Sequence, residues 1–214
     1  MADVAPPDMA VLKIDTVDNR GLAFPMGPAR GERTETGAPV GNDVTADRAI
    51  RVAINQALDR EALVALALNG HGRPAMGPAD GLPWDNPEAA IPGDDPTAAI
   101  ATLEKAGWTD SDGDGIREKD DLRAAFKVLY PAGDSTRQAL ALGASQQLRA
   151  IGIEAQPTGS SWDEIGALMH SQVVVLGWGA HDPSEIYALH NGDYAGVDYY
   201  NTGHYANPAV DAHL

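Results

Sequence analysis

Residues 42–78, NDVTADRAIRVAINQALDREALVALALNGHGRPAMGP, decide how the rest of the chain is read. Ile50, Ala53, Ile54, Ala57 and Leu58 recur at spacings of three and four, so they form one apolar stripe on a helix. Thr45 or Asn42 can cap that helix, because either side chain offers an oxygen to the unpaired N–H groups of a first turn. Asp59-Arg60 resets the pattern, and Asp59 caps a second helix over 60–68. Asn69-Gly70 ends it as a left-handed pair. Arg48 and Arg51 lie one turn apart and are expected to pair with Asp59 or Glu61.

Outward from this pair, residues 9–15 (MAVLKID) alternate as a strand would, and 21–26 (GLAFPM) reads as a second short strand that Pro25 confines to an edge or a terminus. Residues 28–41 have the composition of a mobile loop, and 72–92, rich in Pro and Gly, that of an irregular surface segment. Pro96 sits at the first position of a helix over 97–106 that Gly107 stops, and Trp108 opens a loop over 109–121. A buried strand over 124–130 follows. Asp134 or Ser135 then caps a helix over 136–150, with Leu140, Leu148 and Ile151 facing inward. A short strand at 152–155, a helix opening at Ser160-Ser161 and running through His170, and an apolar strand at 173–176 complete the alternation. Strands alternating with helices predict an α/β lobe whose sheet is covered on both faces.

The chain has 15 basic and 31 acidic residues, a net charge of −16. That balance opposes phosphate neutralisation and argues against a nucleic-acid partner. The acidity is dispersed and reads as a solubilising surface. The absence of cysteine removes disulfides, thiolate catalysis and cysteine-based zinc sites. No G-x-S-x-G elbow or phosphate-binding glycine loop occurs, which weakens hydrolase and nucleotide-binding readings.

Two stretches carry chemistry. Asp110-Ser111-Asp112-Gly113-Asp114-Gly115 opens like an EF-hand loop, with Asp110, Asp112 and Asp114 as hard oxygen ligands for a structural Ca²⁺. The twelfth position is Asp121 rather than Glu, and a strand should follow, so a plain Asp/Gly turn stands beside that reading. Leu176-Gly177-Trp178-Gly179-Ala180-His181-Asp182-Pro183 closes an apolar strand, the place where ligands sit in α/β sheets. Trp178 faces either the cleft or the core, and Asp182 also serves as a helix cap. The six histidines show no chelating spacing. Tyr187, Tyr194, Tyr199, Tyr200 and Tyr205, with Asn201 among them, either line a cleft or pack a loop.

The helix pair with Asp59-Arg60-Glu61, the run from Asp95-Pro96 to Ala106-Gly107-Trp108 and the DGDGIREK segment, in that order, resemble the family-5 extracellular solute-binding proteins of ABC importers. The resemblance implies a type II periplasmic-binding-protein-like lobe, a mixed sheet flanked by helices. Residues 1–41 would hold hinge strands and a connecting loop, and 42–214 the ligand-binding lobe, truncated at its C-terminus. It implies binding without catalysis, an interlobe cleft completed by an N-terminal lobe, an extracytoplasmic location and delivery to a permease. The solute would be a peptide, its amine paired with Asp182 and its body against Trp178, Tyr187 and Asn201. A nickel chelate near His181 is the alternative, the nickel then being part of the ligand; no cofactor is required, and calcium at the acidic loop would be structural only. A carboxylate hydrolase using Asp182 and Glu185 is the reading from another class.

Overall fold

The computed structural model describes residues 7–12, 14 and 16–214. After the edge strand β1 (Gly21–Ala23) come α1 (Asp43–Ala46), α2 (Arg48–Ala57) and α3 (Arg60–Leu68), then α4 (Pro96–Lys105). A small hairpin, β2 (Glu118–Lys119) and β3 (Leu122–Arg123), leads into β4 (Ala125–Pro131), α5 (Ser135–Arg149), β5 (Glu154–Ser160), α6 (Trp162–Leu168) and β6 (Val173–Leu176). Short helices α7 (Ser184–His190) and α8 (Pro208–Asp211) close the chain.

The main sheet has the order β1-β6-β4-β5, with β4 parallel to both β5 and β6 and β1 antiparallel to β6. Alternation along β4 and β6 splits the core. Phe126, Val128, Val173 and Val175 join the α2–α5 layer, where Ile50, Ile54, Leu103, Leu148 and Ile153 are buried. Leu129, Val174 and Leu176 point to the other face, where Ile165 and Met169 cover them. A sheet buried on both faces is the reason β6 is a continuous apolar run and β4 is interrupted only at Lys127.

Local chemistry sets the helix ends. Asn42 accepts from the N–H groups of Val44 and Thr45 and caps α1, a single turn. Asp47 then restarts the helix: one oxygen accepts from Ala49 N–H, the other from Trp108 Nε1 at 3.0 Å and Lys119 Nζ at 2.8 Å. Thr45 is no cap; its buried hydroxyl donates to Pro25 O at 2.8 Å and ties β1's exit to the helices. Arg51 does not pair with Asp59 or Glu61. It donates to the carbonyls of Thr45 and Ala46, filling acceptors left open where α1 ends. Asp59 caps α3, and Asn69 and Gly70 end it with φ of 50° and 77°.

Three expectations change. Residues 9–12 and 14 form no strand, and Met9, Leu12 and Ile14 are exposed; Lys13 and Asp15 lie outside the described residues. The sheet offers that stretch no partner, and an unpaired strand has no ladder to stabilise it. Strand β5 is longer than expected because an edge position tolerates Pro157. Residues 28–41 close on themselves through Thr34 N–H to Ala38 O and Val40 N–H to Glu32 O.

Candidate functional site

Because β4, β5 and β6 run parallel, their C-terminal ends emerge along one rim. The chain leaves β4 toward β5 on one side and returns across it to β6 on the other. Such a reversal of strand order, at the C-terminal ends of the strands, is the usual ligand position in open α/β sheets.

Each strand delivers polar or aromatic groups to the rim. After β4, Asp134 caps α5 through Arg137 N–H and ion-pairs with the Arg137 guanidinium. Burial alone would raise the Asp134 pKa, but its bonds to Arg137 outweigh that and lower it. The guanidinium lies 5.9 Å from the centroid of Trp162, which follows β5. Trp162 is 44 % exposed and meets Tyr199, 37 % exposed, edge to face at 5.4 Å. After β6, Trp178 is half-buried: it packs against the second core face and stacks on Tyr200 at 5.0 Å with 17° between planes. Tyr200 meets Tyr194 at 6.1 Å, and Tyr194 meets Tyr187 at 5.6 Å. The consecutive Tyr199 and Tyr200 thus each meet one of the two tryptophans, and the backbone between them links the two groups, together termed the aromatic wall. Gly177 is required at its approach, since a Cβ there would stand 2.3 Å from Asn19 O.

The other residues singled out in the sequence make local contacts. Asp182 is exposed and accepts from Ser184 N–H at 2.9 Å, which lowers its pKa and keeps it ionised. His181 is exposed beside it. Glu185 accepts from Gly179 and Ala180 N–H at 3.2–3.3 Å, so its carboxylate holds the Gly-Trp-Gly loop. Asn201 is buried; its amide donates to Asn191 O and Tyr205 O and accepts from Tyr205 N–H. Trp162 and Arg137 are rim residues that sequence reading missed. The signal was available: Ser160-Ser161-Trp162 ends β5 as Gly177-Trp178 ends β6, the two parallel strands that flank β4, but the first reads locally as a helix start.

The acidic loop lies elsewhere, before the β2–β3 hairpin. Asp110, Asp112 and Glu118 place carboxylate oxygens within 4.8 Å of one another, whereas Asp114 turns to Arg123 at 2.7 Å. Asp110 also accepts from Gly113 and Gly115 N–H, so the loop is a self-bonded turn with three convergent carboxylates. Among the described residues no helix is long and apolar enough to cross a membrane.

A lobe of this architecture, a mixed sheet flanked by helices, is that of the type II periplasmic binding proteins. The chain belongs to the bacterial extracellular solute-binding proteins of family 5, whose middle-region model matches residues 6–199. It is 42% identical to "Protein XP55" of Streptomyces lividans over 181 residues, covering 82% of this chain and 33% of that protein. It is 32% identical over 145 residues to the oligopeptide-binding protein AppA of Bacillus subtilis, covering 64% of this chain and 27% of AppA. The structure of NikZ from Campylobacter jejuni in complex with Ni(L-His) superimposes with a TM-score of 0.77 at 23% identity, over 94% of this chain and 38% of that one. The chain thus spans about a third of the length of the curated relatives it matches.

Proposed function

We propose that this chain forms one side of the solute cleft of an ABC-importer receptor and that the solute is a peptide. The observation that carries the reading is the wall Trp162–Tyr199–Tyr200–Trp178 at the strand C-termini. Aromatic faces offer apolar area at low entropic cost and accept varied side chains, which suits a ligand of variable sequence. Asp182, held ionised by Ser184, supplies an anion for a peptide amine, and His181 stands at the same edge. The 32% identity to an oligopeptide-binding relative supports the peptide reading. A second lobe would close over the wall by hinge motion, and the closed form would dock on its permease outside the cytoplasm. The three carboxylates of the acidic loop are offered to a structural Ca²⁺, and no step of solute capture depends on it.

The test is tryptophan emission of the receptor during titration with a mixture of short peptides and, separately, with Ni(L-His). Peptides should change the emission, and Trp162→Phe and Trp178→Phe should each remove part of that change. A response to the nickel complex alone would replace the peptide with a chelate. A peptide response untouched by either substitution would place the solute away from the wall.

A further inference from the structure

We propose that the pair formed by buried His170 and half-buried His204 positions the aromatic wall: while both imidazoles are neutral it holds the Tyr199–Tyr200 segment against the tryptophans, and gain of a proton releases that segment. The consequence for solute capture rests on the reading above; the device itself does not.

His170 lies in the turn between α6 and β6 and is 4 % exposed. Its Nδ1 is 3.1 Å from Thr202 O, which can only accept, so Nδ1 carries the proton and donates. Thr202 is itself buried, directly after the wall's tyrosines and Asn201. His204 follows with a left-handed φ of 51°, and its ring meets His170 edge to face at 4.8 Å. Nε2 of His204 is buried with no hydrogen-bond partner, and a Cβ on Gly196 would stand 3.2 Å from it. The segment is pinned further by Met26 N–H to Gly203 O at 2.9 Å. The loop carrying Tyr199 and Tyr200 therefore closes around the two imidazoles.

A proton on His204 would leave a buried N–H without an acceptor and set a cation against a second ring that also titrates. Burial lowers the pKa of His170 despite the Thr202 bond. Burial, then the charge of His170, lowers that of His204. Glu32, on the 28–41 loop packed against the pair, acts in the opposite sense on His204 and is outweighed. Depressed folded-state values mean the unfolded chain binds protons first. The stabilising contribution is therefore complete above the ordinary histidine range and is lost as pH falls below it.

The experiment follows tryptophan emission, far-UV circular dichroism and melting of this chain between about pH 8 and pH 5, a span that brackets histidine titration. The wild type should show a reversible emission change below about pH 6.5 with helix content retained. Its melting temperature should drop with acid by at least about 2 °C more than that of His204→Asn, a residue that tolerates left-handed φ without titrating. His170→Gln, whose amide can still donate to Thr202 O, provides a second variant should the first not fold. A flat wild-type profile overturns the proposal. So does a transition that persists unchanged in both variants, which would belong to the other histidines. No solute enters the measurement, so failure of peptide binding would leave its result standing.

Discussion

The helix pair α2–α3 and the aromatic wall solve opposite problems. In the helices the ends are set by neighbours in sequence: Asp47 restarts α2, Asp59 caps α3 and Asn69 turns its end. Their apolar stripe, Ile50, Ala53, Ile54 and Ala57, is buried. In the wall the partners are distant in sequence, Trp162 with Tyr199 and Trp178 with Tyr200, and large aromatic area stays in water. One region spends its side chains on stability; the other holds exposed rings in place without burying them. Exposed aromatic area held in this way is what a binding surface needs before its ligand arrives.

The contrast can be broken most severely at Asp47. Asp47→Ala removes a cap and leaves Trp108 Nε1 and Lys119 without their acceptor, and should cost about 2–4 kcal/mol in urea unfolding. Burial would raise the Asp47 pKa, but the bonds to Lys119, Ala49 and Trp108 prevail and lower it. The wild type should therefore hold this increment above the ordinary carboxylate range and lose it on acidification below that range, while Asp47→Asn shows a flatter acid limb. An unfolding midpoint within error of wild type for Asp47→Ala would mean that the local cap is not what fixes the helix pair.

Gly177→Ala comes next, because it sits where the two regions meet. The added Cβ must displace the backbone at Asn19, so a loss of about 1–3 kcal/mol in thermal unfolding is expected, with a red shift of Trp178 emission. An unshifted spectrum would show that the approach to Asn19 does not set the indole's position. Trp162→Ala should do the reverse of the Asp47 change. With a side chain nearly half exposed it should alter stability by under about 1 kcal/mol, yet weaken peptide binding at least about tenfold, measured by calorimetry on the receptor. A large stability loss with unchanged affinity would return Trp162 to the core. The smallest effect belongs to the acidic loop. Millimolar Ca²⁺ should raise the melting temperature and EDTA reverse it, through Asp110, Asp112 and Glu118. Superimposable melts would leave the loop a self-bonded turn.

Most of the helical body was legible in the sequence because its signals are local. The stripe from Ile50 to Leu58, Asp59 as a cap, Pro96 at a helix start and the run Val173–Leu176 each act over a few residues. Where the reading failed, the deciding partner was elsewhere. Residues 9–15 alternate like a strand, but no sheet edge receives the described part of them. Arg51 was assigned to carboxylates one helix on, whereas the open carbonyls of Thr45 and Ala46 lie closer. Of the site, Trp178 was visible as a strand-end aromatic. Trp162 was hidden because its Ser161–Glu164 capping box already explained the local pattern. The bridging role of Tyr199 and Tyr200 depends on a loop whose course no periodicity encodes.

The central claim, that the rim of β4, β5 and β6 holds a peptide, is tested most directly by native mass spectrometry of the receptor purified gently without added ligand, alongside a Trp162→Ala/Trp178→Ala variant. The account predicts a spread of co-purifying masses in the range of short peptides for the wild type, absent or sharply reduced in the variant. A single sharp mass containing nickel, or a peptide spread equal in both proteins, would contradict it.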